Sequence, residues 1–210
     1  MTTLPPQPAA AAGPPAPTYP ATLTYDLPDR VARWRPLVHW LLLVPHFVVI
    51  VVLTVPLYFV LIASWFCGVV LGKVPRPLLN YSAMYLRYNA SLTAYYYFLH
   101  GTYPPFALAA DTTDPGRDPH VRFDVEPQVE GRSRLTIFFR AIMVIPHFFV
   151  LYFLGIAAAV LTFIGFFAVL FTAHWPSGLR DFVLGYLRWG QRVGAYYLLL
   201  TDEYPPFSLD

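Results

Sequence analysis

Two histidines occupy the same local sequence, Pro45-His46-Phe47 and Pro146-His147-Phe148, each about ten residues into a long apolar run. An ionisable side chain at membrane depth is costly and is a functional suspect by default. Two imidazoles on equivalent helices could coordinate haem iron or another transition metal, or relay protons. His39 and Arg140 stand seven residues earlier on the same helical faces, so each run carries a polar stripe of two residues. The structural use is the expected one. Each proline removes a helix hydrogen bond and frees an upstream carbonyl. A neighbouring histidine can donate to such a carbonyl, and Arg140 can snorkel to an interface. No cofactor is therefore expected, with haem or a metal at His46 and His147 as the alternative.

The basic residues offer a second chemistry. Arg87, Arg180, Arg188 and Arg192 lie on or beside amphipathic segments and are candidates for holding lipid headgroups. Asp181 and Arg188 are seven apart, as are Asn80 and Arg87, which suggests a structural Asp–Arg link between elements. Asp202-Glu203 sits beside a proline-rich turn with no nucleophile or histidine near it in sequence, so an acid/base pair is not expected there. The chain holds no G-x-x-x-x-G-K-[ST], G-x-G-x-x-G, H-E-x-x-H, G-x-S-x-G or paired C-x-x-C. No catalytic residue is assigned.

These residues sit in an unusual composition. Of 210 residues, 57% are hydrophobic and 12% charged, with mean hydropathy +0.49. A soluble domain carries about 25% charged residues, so this chain could not cover its surface in water. Net charge is only +2, which gives no electrostatic footprint for nucleic acid. The single cysteine, Cys67, excludes an intramolecular disulfide.

Residues 37–72 contain no charge, and residues 135–173 contain only Arg140. As a helix the first run would measure about 54 Å at 1.5 Å per residue, against a hydrocarbon core of about 30 Å. Arg30, Arg33 and Arg35 precede it, and Lys73 and Arg76 follow; Arg132 and Arg134 precede the second run, and Arg180 follows. Basic residues at both ends place both ends in the cytoplasm. The expectation is a hydrophobic helical hairpin in each run, turning near Thr54-Val55-Pro56 and near Gly155. A re-entrant hairpin reaching partway across is the alternative, its apex buried against protein.

The two runs belong to an internal repeat. A shift of 101 residues superposes the two Pro-His-Phe triplets, Pro75 on Pro176, Tyr85-Leu86-Arg87 on Tyr186-Leu187-Arg188, and Tyr103-Pro104-Pro105-Phe106 on Tyr204-Pro205-Pro206-Phe207. From Arg33 to Leu108 there are 21 identities in 76 ungapped positions. Alternating stretches, Thr22–Leu27 and Val121–Val125, open the copies as strands. After each apolar run comes an amphipathic helix, typified by 179–200, expected to lie in the headgroup plane. Tyr-Pro-Pro-Phe closes each copy as a return strand. The expected organisation is a disordered Pro/Ala-rich tail over 1–18, repeat 1 over 19–108, a polar linker over 109–119 and repeat 2 over 120–210. Gly68 and Gly72 form a local small-x-x-x-small packing face.

The Pro-His-Phe start, the long apolar run, the Arg-bearing helix and the terminal Thr201-Asp202-Glu203-Tyr204-Pro205-Pro206-Phe207 resemble the bacterial domain-of-unknown-function family 4389, in two tandem copies. The first copy departs from the pattern, with His100-Gly101-Thr102 in place of Thr201-Asp202-Glu203 and Asn80 in place of Asp181. The resemblance implies a multi-pass protein of the bacterial cytoplasmic membrane and no assigned activity. The expected fold is a predominantly α-helical integral membrane protein with both termini cytoplasmic. The expected function is a non-enzymatic scaffold, accessory or lipid-interacting module. Its partners would be membrane lipids, anionic ones among them, and a membrane protein or a second copy of the chain. A small transporter or channel subunit is the alternative, weakened by the absence of any acidic residue between Asp29 and Asp111.

Overall fold

A computed structural model describes residues 19–210; the tail read over 1–18 lies outside the described residues. The chain is predominantly helical and runs β1 (Ala21–Tyr25), α1 (Arg35–Leu42), α2 (Val44–Leu71), α3 (Arg76–Tyr96), β2 (Val121–Val125), α4 (Arg134–Met143), α5 (Ile145–Thr172), α6 (Ser177–Tyr197). Repeat 1 supplies the first four elements and repeat 2 the last four. The 109–119 linker has no helix or strand.

Each apolar run forms one continuous helix from its Pro-His-Phe onward, and the expected hairpin within the run is absent. The helix breaks only at Leu43 and Val144, where Pro45 and Pro146 withhold the amide that would bond back to residues 41 and 142. α2 and α5 then run 28 residues each, about 42 Å. Pro56 costs one further bond without ending the helix, and the chain is held across that place by α3. There the Tyr81 hydroxyl donates to the Leu53 carbonyl at 2.8 Å, and the Tyr85 hydroxyl meets the Thr54 hydroxyl at 3.1 Å. Gly155 likewise stays helical; a Cβ there would lie 3.1 Å from the Tyr186 hydroxyl. With their preceding segments, Arg35–Leu71 and Arg134–Thr172 are long and apolar enough to cross a membrane by length and composition.

The reversal comes at the ends of these helices. Gly72 takes the left-handed conformation (φ 68°), as does Ala173 at the equivalent place (φ 63°), and Pro75 and Pro176 then open α3 and α6. A left-handed residue just past a helix end is a common terminator. The second arm of each hairpin is thus the Arg-bearing helix. α3 and α6 do not lie apart in a headgroup plane: they pack on α2 and α5 and on each other, and their inner positions (Ala83, Ala90, Val183, Ala195) form the core with the two strands.

β1 and β2 pair antiparallel, with Leu23 opposite Phe123 and Thr24 opposite Arg122. Leu23, Val121 and Phe123 face the core while Thr22, Thr24 and Arg122 are exposed. Tyr-Pro-Pro-Phe forms irregular chain in both copies and joins no strand; its prolines cannot donate to a ladder.

Outside this core, the outer faces of the long helices are apolar and uncovered. On α1–α2 the exposed stripe runs from Leu37 and Leu41 through Val48, Val55 and Phe59 to Val70. On α4–α5 it runs from Leu135 through Phe149, Ile156 and Phe163 to Phe171. No charged residue interrupts either stripe.

Candidate functional site

The closing segment of each repeat folds back onto its histidine. His46 is fully buried; its ring stacks on Phe106 (centroids 4.3 Å apart, planes at 13°) and meets Tyr103 at 4.8 Å. His147 repeats the arrangement with Phe207 (4.0 Å, 14°) and Tyr204 (4.8 Å). The Pro-His-Phe and Tyr-Pro-Pro-Phe motifs, about sixty residues apart in sequence, are thus two sides of one cage. Each cage is closed from the Arg-bearing helix. The Tyr88 hydroxyl lies 2.6 Å from His46 Nδ1, and at the equivalent position the Trp189 indole N–H donates to His147 Nδ1 at 3.1 Å.

The Trp189 contact fixes the chemistry of His147. An indole nitrogen only donates, so His147 Nδ1 is the accepting nitrogen and the neutral ring carries its proton on Nε2. A metal ligand needs an unprotonated nitrogen with a free lone pair, and this tautomer leaves neither. Nε2 has no hydrogen-bond partner in either cage. The two histidines sit in separate clusters, one with Leu43, Leu92 and Tyr95 and the other with Val144, Val193 and Tyr196. The structure therefore does not bring them together as a pair of haem ligands. Among the described residues, no three His, Cys, Asp or Glu side chains gather as a metal site.

His39 and Arg140 also turn inward. His39 Nδ1–H donates to the Tyr95 carbonyl at 3.0 Å and stacks on the Tyr95 ring at 3.8 Å. Arg140 donates to the Tyr196 carbonyl at 2.7 Å with its guanidinium 4.3 Å over the Tyr196 ring. Two flat donors of different type occupy one role. Arg140 does not snorkel outward; it pairs with Asp202 and donates to the Thr201 carbonyl at 2.9 Å. Arg132, buried, joins the same carboxylate at 2.9 Å and donates to the Leu199 carbonyl at 2.8 Å. Asp202 is therefore a structural counter-ion for two arginines. Repeat 1 has Gly101 there and correspondingly has His39 in place of Arg140.

The arginines singled out for headgroups are mostly engaged. Arg87 is buried, 3.6 Å from Asp114, and donates to the Asp111 carbonyl at 2.9 Å. Burial lowers its pKa against the opposing pull of Asp114. It holds the linker and is not open to lipid. Arg192 donates to the Ser208 carbonyl at 2.6 Å, and Arg188 lies 5.8 Å over the Tyr25 ring. Arg180, half-buried at the start of α6, forms no ion pair among the described residues. Asp181 is exposed and makes no ion pair with Arg188, since two turns of α6, about 10 Å, separate them; Asn80 likewise leaves Arg87 to Asp114. The Gly68 part of the small-residue face does pack closely, a Cβ there coming 2.7 Å from Ile137.

A model of the family described as domain of unknown function DUF4389 matches residues 33–107 and 134–208. The chain belongs to that family, as two tandem copies. Each DUF4389 match opens just before the long apolar helix and closes on the Tyr-Pro-Pro-Phe that cages its histidine. No curated protein and no solved structure matches the chain. The cage partners were the residues that sequence reasoning missed. A signal existed: Tyr88 and Trp189 occupy equivalent positions, and both are aromatic rings bearing a hydrogen-bond donor.

Proposed function

We propose that this DUF4389 protein is a non-enzymatic integral membrane protein whose working surface is the apolar outer face of its two long helices. In this reading it is a scaffold, accessory or lipid-interacting module of the bacterial cytoplasmic membrane, with both termini in the cytoplasm. The continuous exposed stripes carry the reading: side chains as large as Phe59 (70% exposed) and Phe171 (68%) face outward along their whole length. Soluble monomers rarely expose an apolar patch beyond a few hundred Å². Among the described residues none covers the two stripes, and lipid is the solvent that suits them. The inward-facing histidines and arginines fit a structural interior better than a site of turnover.

Sedimentation and vesicle flotation test this. The expressed chain is expected in the membrane fraction, retained there through salt and alkaline carbonate washes, and afloat with reconstituted vesicles. Recovery as a soluble monomer after lysis would end the reading. The haem and metal alternative predicts a Soret band or stoichiometric metal in purified protein. A transporter predicts solute flux in liposomes.

A further inference from the structure

The two copies are related by an approximate two-fold axis, and its position has consequences for the membrane. The C-terminal end of each long helix meets the start of the other repeat. Trp65 packs on Phe138 with ring centroids 5.9 Å apart, while the Val74 amide donates to the Val129 carbonyl at 3.1 Å. At the other end the Val31 amide donates to the Ala173 carbonyl at 2.9 Å. α2 and α5 therefore run in opposite directions. α3 and α6 are also antiparallel: Asn89 bonds Gln191 at 3.3 Å, and a Cβ on Gly194 would strike Leu86. The axis passes between Asn89 and Gln191 and on through the middle of the β1–β2 ladder, which carries the exposed Arg122.

The layers along that axis are ordered. On α3 the side chains that meet α2 are Tyr81, Tyr85 and Tyr88, spaced to share one face. Arg87 reaches the other way, to the linker carbonyls of Ala109 and Asp111. The sheet and linker thus lie at one end of the axis and α2 and α5 at the other. Each long helix is covered on its inner side for its full length, from His46 to Gly68 and from His147 to Val169. Neither protrudes from the body.

Two placements in a bilayer are open to such a molecule. If the axis lay in the membrane plane, α2 and α5 would cross in opposite directions, and the exposed Arg122 would sit at mid-depth. A charge at bilayer centre is strongly disfavoured unless it is paired or reaches water. If the axis lies along the membrane normal, the sheet and linker stay in water and both stripes lie flat. Basic residues at both ends of both helices then share one side, which satisfies the positive-inside bias without any turn inside the apolar run.

We propose that the chain is monotopic: α1–α2 and α4–α5 lie antiparallel in the plane of one leaflet, apolar stripes toward the acyl chains. Exposed Arg33, Lys73, Arg76 and Arg134 rim that face toward the headgroups. This rests on the lipid-contacting reading above and specifies its geometry.

The test uses the full chain with Cys67→Ala, the residue of the equivalent position, and single cysteines at Arg33→Cys and Lys73→Cys. A membrane-impermeant maleimide is applied to spheroplasts and to inverted vesicles. Both positions are expected to label from inverted vesicles only. Labelling from opposite sides would overturn the monotopic arrangement and leave the lipid-contacting reading intact, whereas a soluble protein would overturn both. Quenching by brominated lipids of a fluorophore at Val48, Phe59 or Val70 gives an independent readout. These exposed sites avoid the core, so folding is not at stake. Equal depths are expected; Phe59 markedly deeper than the other two would show a crossing helix and overturn the proposal.

Discussion

The indole N–H of Trp189 donates to Nδ1 of His147 at 3.1 Å across 42 residues of sequence, and the Tyr88 hydroxyl stands in the same relation to His46. A buried acceptor that loses its only donor pays its full desolvation cost, about 1–3 kcal/mol. Trp189→Phe should therefore lower the thermal unfolding midpoint in detergent, and His147→Phe should do so too. The double variant should be less destabilised than the sum of the two. Strict additivity in that cycle would show that the hydrogen bond contributes nothing.

Asp202 is the shared counter-ion of two buried arginines, Arg132 and Arg140. Removing one partner of a buried ion pair leaves an uncompensated charge, with a cost of about 3–5 kcal/mol. Asp202→Asn should be among the most destabilising conservative changes in the chain. Arg140→His, which installs the residue that repeat 1 uses, should be milder than Arg140→Ala, because an imidazole can still stack on Tyr196 and donate to its carbonyl. Denaturant melts of the three variants check the order; an Asp202→Asn variant as stable as the parent would contradict it.

Much of this architecture was legible in the sequence. The shared Pro-His-Phe and Tyr-Pro-Pro-Phe fixed the duplication, and alternation located both strands. The hairpin was misplaced for a physical reason. Basic residues at both ends of an apolar run are compatible with a run that turns back within the membrane and with one that never crosses it. Pro56 and Gly155 look like breakers, but tertiary packing overrides local propensity there: tyrosines from α3 and α6 lie against the helix beside each. Burial of Arg87 was equally illegible, because its counter-ion Asp114 comes from a linker that sequence alone reads as solvent-exposed turn.

Gly165 is where the copies differ most sharply in packing. A Cβ there would fall 2.2–2.6 Å from the Trp175 ring, whose indole N–H donates to the Phe98 carbonyl at 2.9 Å and so ties the repeats together. Repeat 1 pairs Ser64 with the smaller Val74 at these positions. Overpacking a filled core costs about 1–3 kcal/mol, so Gly165→Ala should destabilise by that order. Gly165→Ala with Trp175→Val, the repeat-1 size combination, should recover part of the steric cost while losing the indole bond. Gly178→Ala, with open space around it, should be neutral within about 0.5 kcal/mol. Equal effects at Gly165 and Gly178 would refute the packing argument.

His100 supplies a pH dependence with a definite sign. It is fully buried beside His120 (rings 4.8 Å apart), within reach of Asp118, Arg35, the Thr102 backbone and the Tyr95 ring. Burial pushes its pKa down from 6.5 to about 4; His120 and Arg35 add to the shift and Asp118 opposes it. The unfolded chain thus takes up a proton near pH 6.5 that the folded chain refuses until about pH 4. Stability is full above pH 6.5 and falls as the pH drops through that window, by about 3 kcal/mol at about 1.4 kcal/mol per unit. His100→Thr, which places the repeat-2 residue there, should flatten this part of the profile while leaving stability above pH 7 within about 1–2 kcal/mol of the parent. Unfolding midpoints measured from pH 7.5 to 4 in one detergent decide the matter: parallel profiles for parent and variant would remove His100 as the source.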